Sequence, residues 1–225
     1  MTDLTGKTIA GRYHVSSLLG NGDIAEVYKV WDNLRSTNLA MKVIYDNFTK
    51  DSFFLKKLQR EAHALSRIQH PNIARFYGFE QTHNLVYFLM ELIEGITLSQ
   101  RIYETKNAFS NKEIIEIMRP MCSALQCIHS SGCVHLGIKP ANILIKSGHL
   151  YISGFCLSQI AKTYNTPLFS AYMSPEQMRG DIISSPQSDI YSLGLVLFEI
   201  LTCGKKPFTG ENANHKGTII ENIKY

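Results

Sequence analysis

The sequence predicts an α+β protein in two lobes, a small antiparallel β region with one helix followed by a mainly helical region. Three observations predict it. Residues 13–45 read as three short strands, two of them alternating apolar and polar side chains, residues 51–69 carry an apolar stripe at helical spacing, and the later stretches read as helices, 110–131 with a helical stripe and 188–201 apolar on nearly every face. A chain of 225 residues with 44% apolar and 19% charged content can bury its own core, as one domain in two lobes.

Residues 1–12 read as an N-terminal extension. Tyr13 to Leu19 then alternates, Gly20-Asn21-Gly22-Asp23 makes a turn, Ala25 to Trp31 alternates again, and Asn38 to Tyr45 is a third strand. A glycine hairpin lets backbone N–H groups come close to phosphates because no Cβ intervenes, although a plain β-turn needs the same residues. In the helix over 51–69, Phe54, Leu58, Glu61, Leu65 and Ile68 recur at steps of four, three, four and three. Glu61 is therefore a carboxylate on the buried stripe, and it needs a cation. Lys42 is the candidate; Arg60, Arg67 and solvent are the alternatives. His70-Pro71-Asn72-Ile73 ends the helix and opens a strand over 73–79, paired through a polar loop with another over 84–90. The lobe boundary is expected near residue 94, which places the first lobe at 13–93 and the second at 94–225.

In the second lobe, Ser110 and Glu113 fit a capping box, in which each side chain satisfies the other residue's backbone N–H. Ile114, Ile117, Met121, Leu125 and Ile128 continue as a helical stripe towards Gly132. Residues 188–201 are apolar on nearly every face, so that helix is expected to be buried all round, with Pro207 and Phe208 closing it.

Composition narrows the function classes. The net charge of +4 is spread along the chain with no basic arm, which argues against nucleic acid. Five cysteines form no C-x-x-C pair, which argues against a disulfide framework and a zinc site and fits a reducing cytoplasm. Met1 to Leu4 carries no signal-peptide pattern, and the longest apolar run, Leu193 to Leu201, is far short of the ~20 residues of a membrane helix.

Several stretches resemble the motifs of bacterial-type serine/threonine protein kinases. Val134-His135-Leu136-Gly137-Ile138-Lys139-Pro140-Ala141-Asn142 is similar to that family's H-R-D-x-K-P-x-N loop, and Ser153-Gly154-Phe155-Cys156 to the stretch holding its D-F-G. Gly20 to Tyr28 resembles its glycine loop, with Ala25 in the third glycine position, and Leu39-Ala40-Met41-Lys42 falls where the family has V-A-I-K. Met90-Glu91-Leu92-Ile93-Glu94-Gly95 resembles the hinge, and Ser174-Pro175-Glu176 the A-P-E motif. The resemblance covers about Tyr13 to Gly210 and implies a protein-kinase-like bilobal fold.

It also implies an ATP site made by Leu19, Gly20, Gly22, Val27, Ala40, Lys42, Glu61, Met90, Glu91, Leu92, Lys139, Asn142 and Leu144. Lys42, paired with Glu61, would hold the α and β phosphates, Lys139 would sit by the transferred phosphate, and Asn142 would offer an amide oxygen to a magnesium ion, weakly. His135 would pack between Phe155 and Leu65 in a spine anchored on Asp189.

The departures fall on the chemistry. Gly137 stands where the family has the Asp that accepts the substrate proton, and Gly154 where it has the Asp that holds magnesium, so no catalytic residue is expected intact. A general base is worth ~10² to 10⁴ in rate and metal stabilisation several kcal/mol more. Leu136 replaces the Arg that clamps a phosphorylated activation segment, so a phosphate on Thr163 or Thr166 would not be held that way. Phe169 replaces a Thr, Asp23 would repel phosphates, and no Arg follows Arg179 to pair with Glu176 in what is a shorter C-lobe than the family's. The expected function is that of a pseudokinase, a protein-binding signalling module that binds ATP with little or no magnesium. The alternative is a weakly active serine/threonine kinase in which Asp23 or Glu61 recruits metal. A protein partner is expected, with a second copy of the chain as one candidate, to complete the large lobe.

Overall fold

The computed structural model describes residues 3–22, 24–50, 52–82, 84–105, 108–155, 171–179 and 185–206. Contacts divide the chain into two compact units, Met1–His70 with Ala74–Glu94, and Pro71–Ile73 with Gly95–Tyr225. Asp23, Cys156, Thr163, Thr166, Phe169, Pro207 and Phe208, each given a role from the sequence, lie outside the described residues.

The first unit is a six-stranded antiparallel sheet. Its strands are β1 (Thr8–Ile9), β2 (Tyr13–Asn21), β3 (Ala25–Asp32), β4 (Thr37–Ile44), β5 (Phe76–Gln81) and β6 (Val86–Glu91), in the order β1-β2-β3-β4-β6-β5. The alternation predicted over 25–31 holds from Val27 onward, whereas β4 buries Leu39, Ala40 and Met41 in succession, and directly opposed residues of the sheet share a face. Tyr28 pairs with Met41 and Met41 with Leu89, and all three are buried in one core with Val30 and Val43. In β2 the alternation stops at Val15, where the first of two bulges shifts the register and leaves Ser16 to Asn21 exposed.

Of the stretch read as an extension, Leu4 onward joins the sheet. Leu4 and Ile9 are buried in the same core, Thr8 pairs with His14, and Val15 N donates to Lys7 O at 2.9 Å. Arg12 is tied to the end of β3 by two hydrogen bonds to Asp32, each 2.7 Å. Glu80 on β5 accepts from the hydroxyls of Tyr13 and Tyr87, at 2.6 and 2.8 Å, and so holds both outer parts of the sheet.

Two helices follow β4: α1 (Asp46–Thr49) and α2 (Ser52–Leu65). Phe54, Leu58 and Ala62 form the buried stripe of α2, while Glu61 and Leu65 are half-buried. The helix ends at Leu65 rather than Gln69. Beyond Ser66 the backbone tightens, with Arg67 N donating to Ala64 O and Ile68 N to Leu65 O, so no further α-type bond forms. Residues 73–75 do not open β5 either. Asn72 and Ile73 belong to the second unit, where Ile152 N donates to Asn72 O and the Asn72 side chain donates to Leu150 O, both at 2.8 Å.

The second unit holds β7 (Ile96–Thr97), α3 (Leu98–Thr105), α4 (Asn111–Ser130), a 3₁₀ turn (Pro140–Asn142), β8 (Ile143–Lys146), β9 (His149–Ile152), α5 (Pro175–Arg179) and α6 (Pro186–Leu201). The capping box of α4 is formed, with Ser110 N donating to Glu113 Oε2 at 2.8 Å and Glu113 N to Ser110 Oγ at 3.2 Å. Its stripe is buried at Ile117, Met121, Leu125 and Ile128, and half-buried at Ile114.

α6 departs from expectation because it is not buried all round. Ile190, Phe198 and Leu201 are 55%, 40% and 59% exposed, and with Gly194 they share one side of the helix. The opposite side, which includes Asp189, Leu193, Val196 and Ile200, is buried.

Candidate functional site

Each unit carries part of the expected set. In the first unit, β-sheet register gathers five of these residues on the face opposite the core. Val27 pairs with Lys42, Gly20 with Val27, and Ala40 with Met90 and with Lys29, which places apolar side chains in a strip beside Lys42 and Lys29, the latter bonded to Glu94. Ala40 is buried, whereas Val27, Lys42 and Met90 are half-buried, so the strip is accessible. Glu91 lies on the other face, with its N–H donating to Arg75 O at 2.7 Å and its carboxylate accepting from Arg75 N at 3.1 Å. Leu19 falls in the bulge before Gly20 and is half exposed, and Leu92 is half-buried just past β6. Gly22 N donates to Ala25 O at 2.8 Å, closing the hairpin, while Tyr45 Oη donates to Gly22 O at 3.1 Å.

Gly20 is informative. It is not in the left-handed region, and a Cβ placed there would meet nothing within 4 Å. Neither the backbone nor the surrounding atoms require glycine at that position, which leaves room for a ligand to approach the main chain.

In the second unit, Gly137 and Asn142 are joined by a ring of hydrogen bonds, with Gly154 packed against the Asn142 amide. Gly137 N donates to His135 Nδ1 at 3.1 Å. His135 Nδ1 is thus an acceptor, the proton resides on Nε2, and Nε2 donates to Ser153 O at 3.1 Å. Ser153 donates to Asn142 O from its N–H at 2.8 Å and its hydroxyl at 3.0 Å. Asn142 Nδ2 donates to Gly137 O at 2.7 Å and closes the ring. All members donate in the same sense around it, so each bond polarises the next. Lys139 caps the 3₁₀ turn with extended backbone, and Leu144 pairs with Thr97 and Tyr151 in the small sheet.

Asp189 anchors this ring from below. Its fully buried carboxylate accepts from His135 N at 2.8 Å, Leu136 N at 2.6 Å and His129 Nε2 at 2.8 Å. Leu136 has φ of 57°, a strained value for a branched residue, and three contacts hold it: the Asp189 bond, its own burial, and Gln177 Nε2 donating to its carbonyl at 3.3 Å. The His135 and Phe155 rings lie 4.5 Å apart. Glu176 accepts from Ser188 Oγ at 2.5 Å. Burial works to raise its carboxyl, but hydrogen bonds, that from Ser188 first, outweigh burial and hold it below the ordinary value.

Sequence reasoning missed Ser153, His129, Gln177 and Ser188. Each is a common polar residue whose role depends on a partner far along the chain, so no local pattern marks it. It also missed Glu199, fully buried and accepting from the hydroxyls of Tyr103 and Tyr172. Burial and then the Glu199 carboxylate push the Tyr103 phenol up to about 12.

The chain belongs to the protein kinase domain family, whose model matches residues 13–224. It is 38% identical over 218 residues to the serine/threonine-protein kinase PrkC of Bacillus subtilis, covering 93% of this chain and 33% of that protein. It is 33% identical over 224 residues to the serine/threonine-protein kinase PknB of Mycobacterium tuberculosis, covering 92% of this chain and 35% of that protein. The chain thus spans about a third of the length of the curated relatives it matches. Among solved structures, it matches a point-mutant form of the Mycobacterium tuberculosis PknI kinase domain with a TM-score of 0.77 at 25% identity, covering 93% of this chain and 80% of that one. Among the described residues no helix is long and apolar enough to cross a membrane.

The two ligands implied by the family fit differently. The strip on the first unit and the open space at Gly20 suit a nucleotide. A magnesium ion needs hard oxygen donors, usually one or two carboxylates. The two loop positions beside Asn142 are glycines, which supply no carboxylate. The second-unit loop does not fit that ion.

Proposed function

We propose that this chain is a pseudokinase: a kinase-fold module that binds ATP through its first unit, transfers little or no phosphate, and acts by binding another protein. The observation that carries this reading is the pair of glycines, Gly137 and Gly154, at the two positions where the family places carboxylates. Loss of both the proton acceptor and the metal holder removes the chemistry, whereas the features that serve nucleotide contact, the Gly20 loop, Ala40, Lys42 and Met90, persist on one sheet face. Lys42 holds the phosphates in this reading and is paired with Glu61, while Glu91 and Leu92 offer backbone groups to adenine. The location proposed is the cytoplasm, and the partner is a protein, with a second copy of the chain as one candidate.

The test is thermal unfolding with ATP, with and without magnesium, beside Lys42→Met. Saturation at ~100 times the dissociation constant stabilises by about 2.7 kcal/mol, which moves the midpoint by roughly 5–10 °C. A shift that survives removal of magnesium and vanishes in Lys42→Met supports the reading, and no shift in the unmodified chain overturns its nucleotide half.

A second reading is favoured by the 38% identity to a protein named as a kinase. In it the chain is a slow serine/threonine kinase, with metal recruited by Asp23 or Glu61. It predicts phosphate incorporation into a generic substrate that disappears in Lys42→Met, and equal background in both chains over hours rules it out.

A further inference from the structure

Asn142 lies against two glycines, and its amide occupies the space that a side chain on Gly154 would need. Its Nδ2 donates to Gly137 O at 2.7 Å, which fixes the plane of the amide. A Cβ built on Gly154 would stand 2.5 Å from Asn142 Cγ, 2.6 Å from Nδ2 and 2.7 Å from Oδ1. Those distances are well inside van der Waals contact, and the obstructing group is a planar amide held by a ring bond, not the loose end of a flexible chain. Gly154 also has φ of 80°, in the left-handed region where side chains are strained. From the other side, a Cβ on Gly137 would lie 3.2 Å from Gly154 O and 3.5 Å from Asn142 Nδ2. The amide and a side chain at residue 154 exclude each other.

We infer that Asn142 is a positioning residue in this chain: its amide fills the space beside Gly137 and Gly154 and locks the loop, and it is committed to that packing instead of to a divalent cation. The inference stands whether or not the first unit binds nucleotide. It has a chemical consequence. Restoring a carboxylate by Gly154→Asp does not rebuild a metal site, because the new side chain enters only if the amide leaves.

A double-mutant cycle on unfolding temperature reads the exclusion directly. Gly154→Ala lowers the midpoint by roughly 5–15 °C from the combined strain and crowding. In an Asn142→Ala background, the same substitution costs no more than about half as much, since only the backbone strain remains. Equal shifts in the two backgrounds overturn the inference. A second measurement does not depend on how well the Gly154 variants fold. Titration with manganese(II) alone, followed by the EPR signal of the free ion, gives the same curve for the unmodified chain and for Asn142→Ala. Binding by the unmodified chain that Asn142→Ala abolishes overturns the inference as well.

Discussion

At the scale of single residues, Asp32 shows how a buried charge is tolerated. Its carboxylate has no exposure, yet it accepts from Arg12 and Arg35 side chains and from the backbone of Leu34. The Arg12 guanidinium, ahead of the opposing effect of burial, holds its carboxyl far below the usual value of 3.8. Asp32→Ala removes the acceptor and leaves Arg12 and Arg35, each partly exposed, to be rehydrated, so the expected cost is about 2–3 kcal/mol in chemical denaturation. Because the folded value is depressed, the Asp32 contribution is complete above the unfolded value near pH 4 and fades as pH falls below it. Glu113 behaves alike at the start of α4. Hydrogen bonds from the Ser110 backbone, then the Ser110 side chain and Arg101, lower its carboxyl to about 2. Its contribution is therefore present above about pH 4.5 and disappears as pH drops towards 2. Ser110→Ala breaks the same box and should cost about 1 kcal/mol, read from a urea midpoint at neutral pH. The box was legible in the sequence because its two residues are three apart. The Asp32 cluster was not, since Arg12 lies 20 residues away.

At the scale of elements, close backbone approach sets the tolerances. A Cβ on Gly95 would lie 2.2 Å from Ile145 O, and the obstructing atom is backbone of the strand that pairs with β7. Gly95→Ala should therefore separate β7 from β8 and cost about 2–3 kcal/mol. Gly20→Ala is the contrast. With open space around it and no positive φ, it should change unfolding stability by less than about 0.5 kcal/mol. If the proposed nucleotide site is right, the same substitution weakens the ATP-induced thermal shift, and an undiminished shift would count against phosphate contact at that loop. Helix periodicity in α4 was readable because the stripe repeats within one element. The exposed side of α6 was not readable. Its composition alone carries no signal of which side meets a neighbour.

At the scale of the whole molecule, the chain is a kinase-family protein whose stability and proposed silence come from different places. Family membership rests on the match over residues 13–224 and on the kinase-like fold. The proposed silence rests on two glycines and an asparagine in one loop. Double restoration, Gly137→Asp with Gly154→Asp, should therefore leave phosphate incorporation at background and lower the unfolding midpoint by roughly 5 °C or more. Incorporation at ordinary kinase rates of ~1 per second would show the loop to be more adaptable than its packing indicates.

What the sequence by itself determined was whatever depends on neighbours a few residues apart: the strand alternation of β3, the cap and stripe of α4, and the identity of the residues at positions 137 and 154. These are local because strand and helix periods and capping bonds act within one element. Tertiary structure alone decided that Leu4 and Ile9 join the sheet core, and that Asn72 and Ile73 leave the first unit to pair with the end of β9. It also decided that Asn142 is held against Gly154, across 12 residues of chain. In each of those cases the partner is brought close by the fold, and a buried polar group or a packed surface takes the partner that the fold supplies.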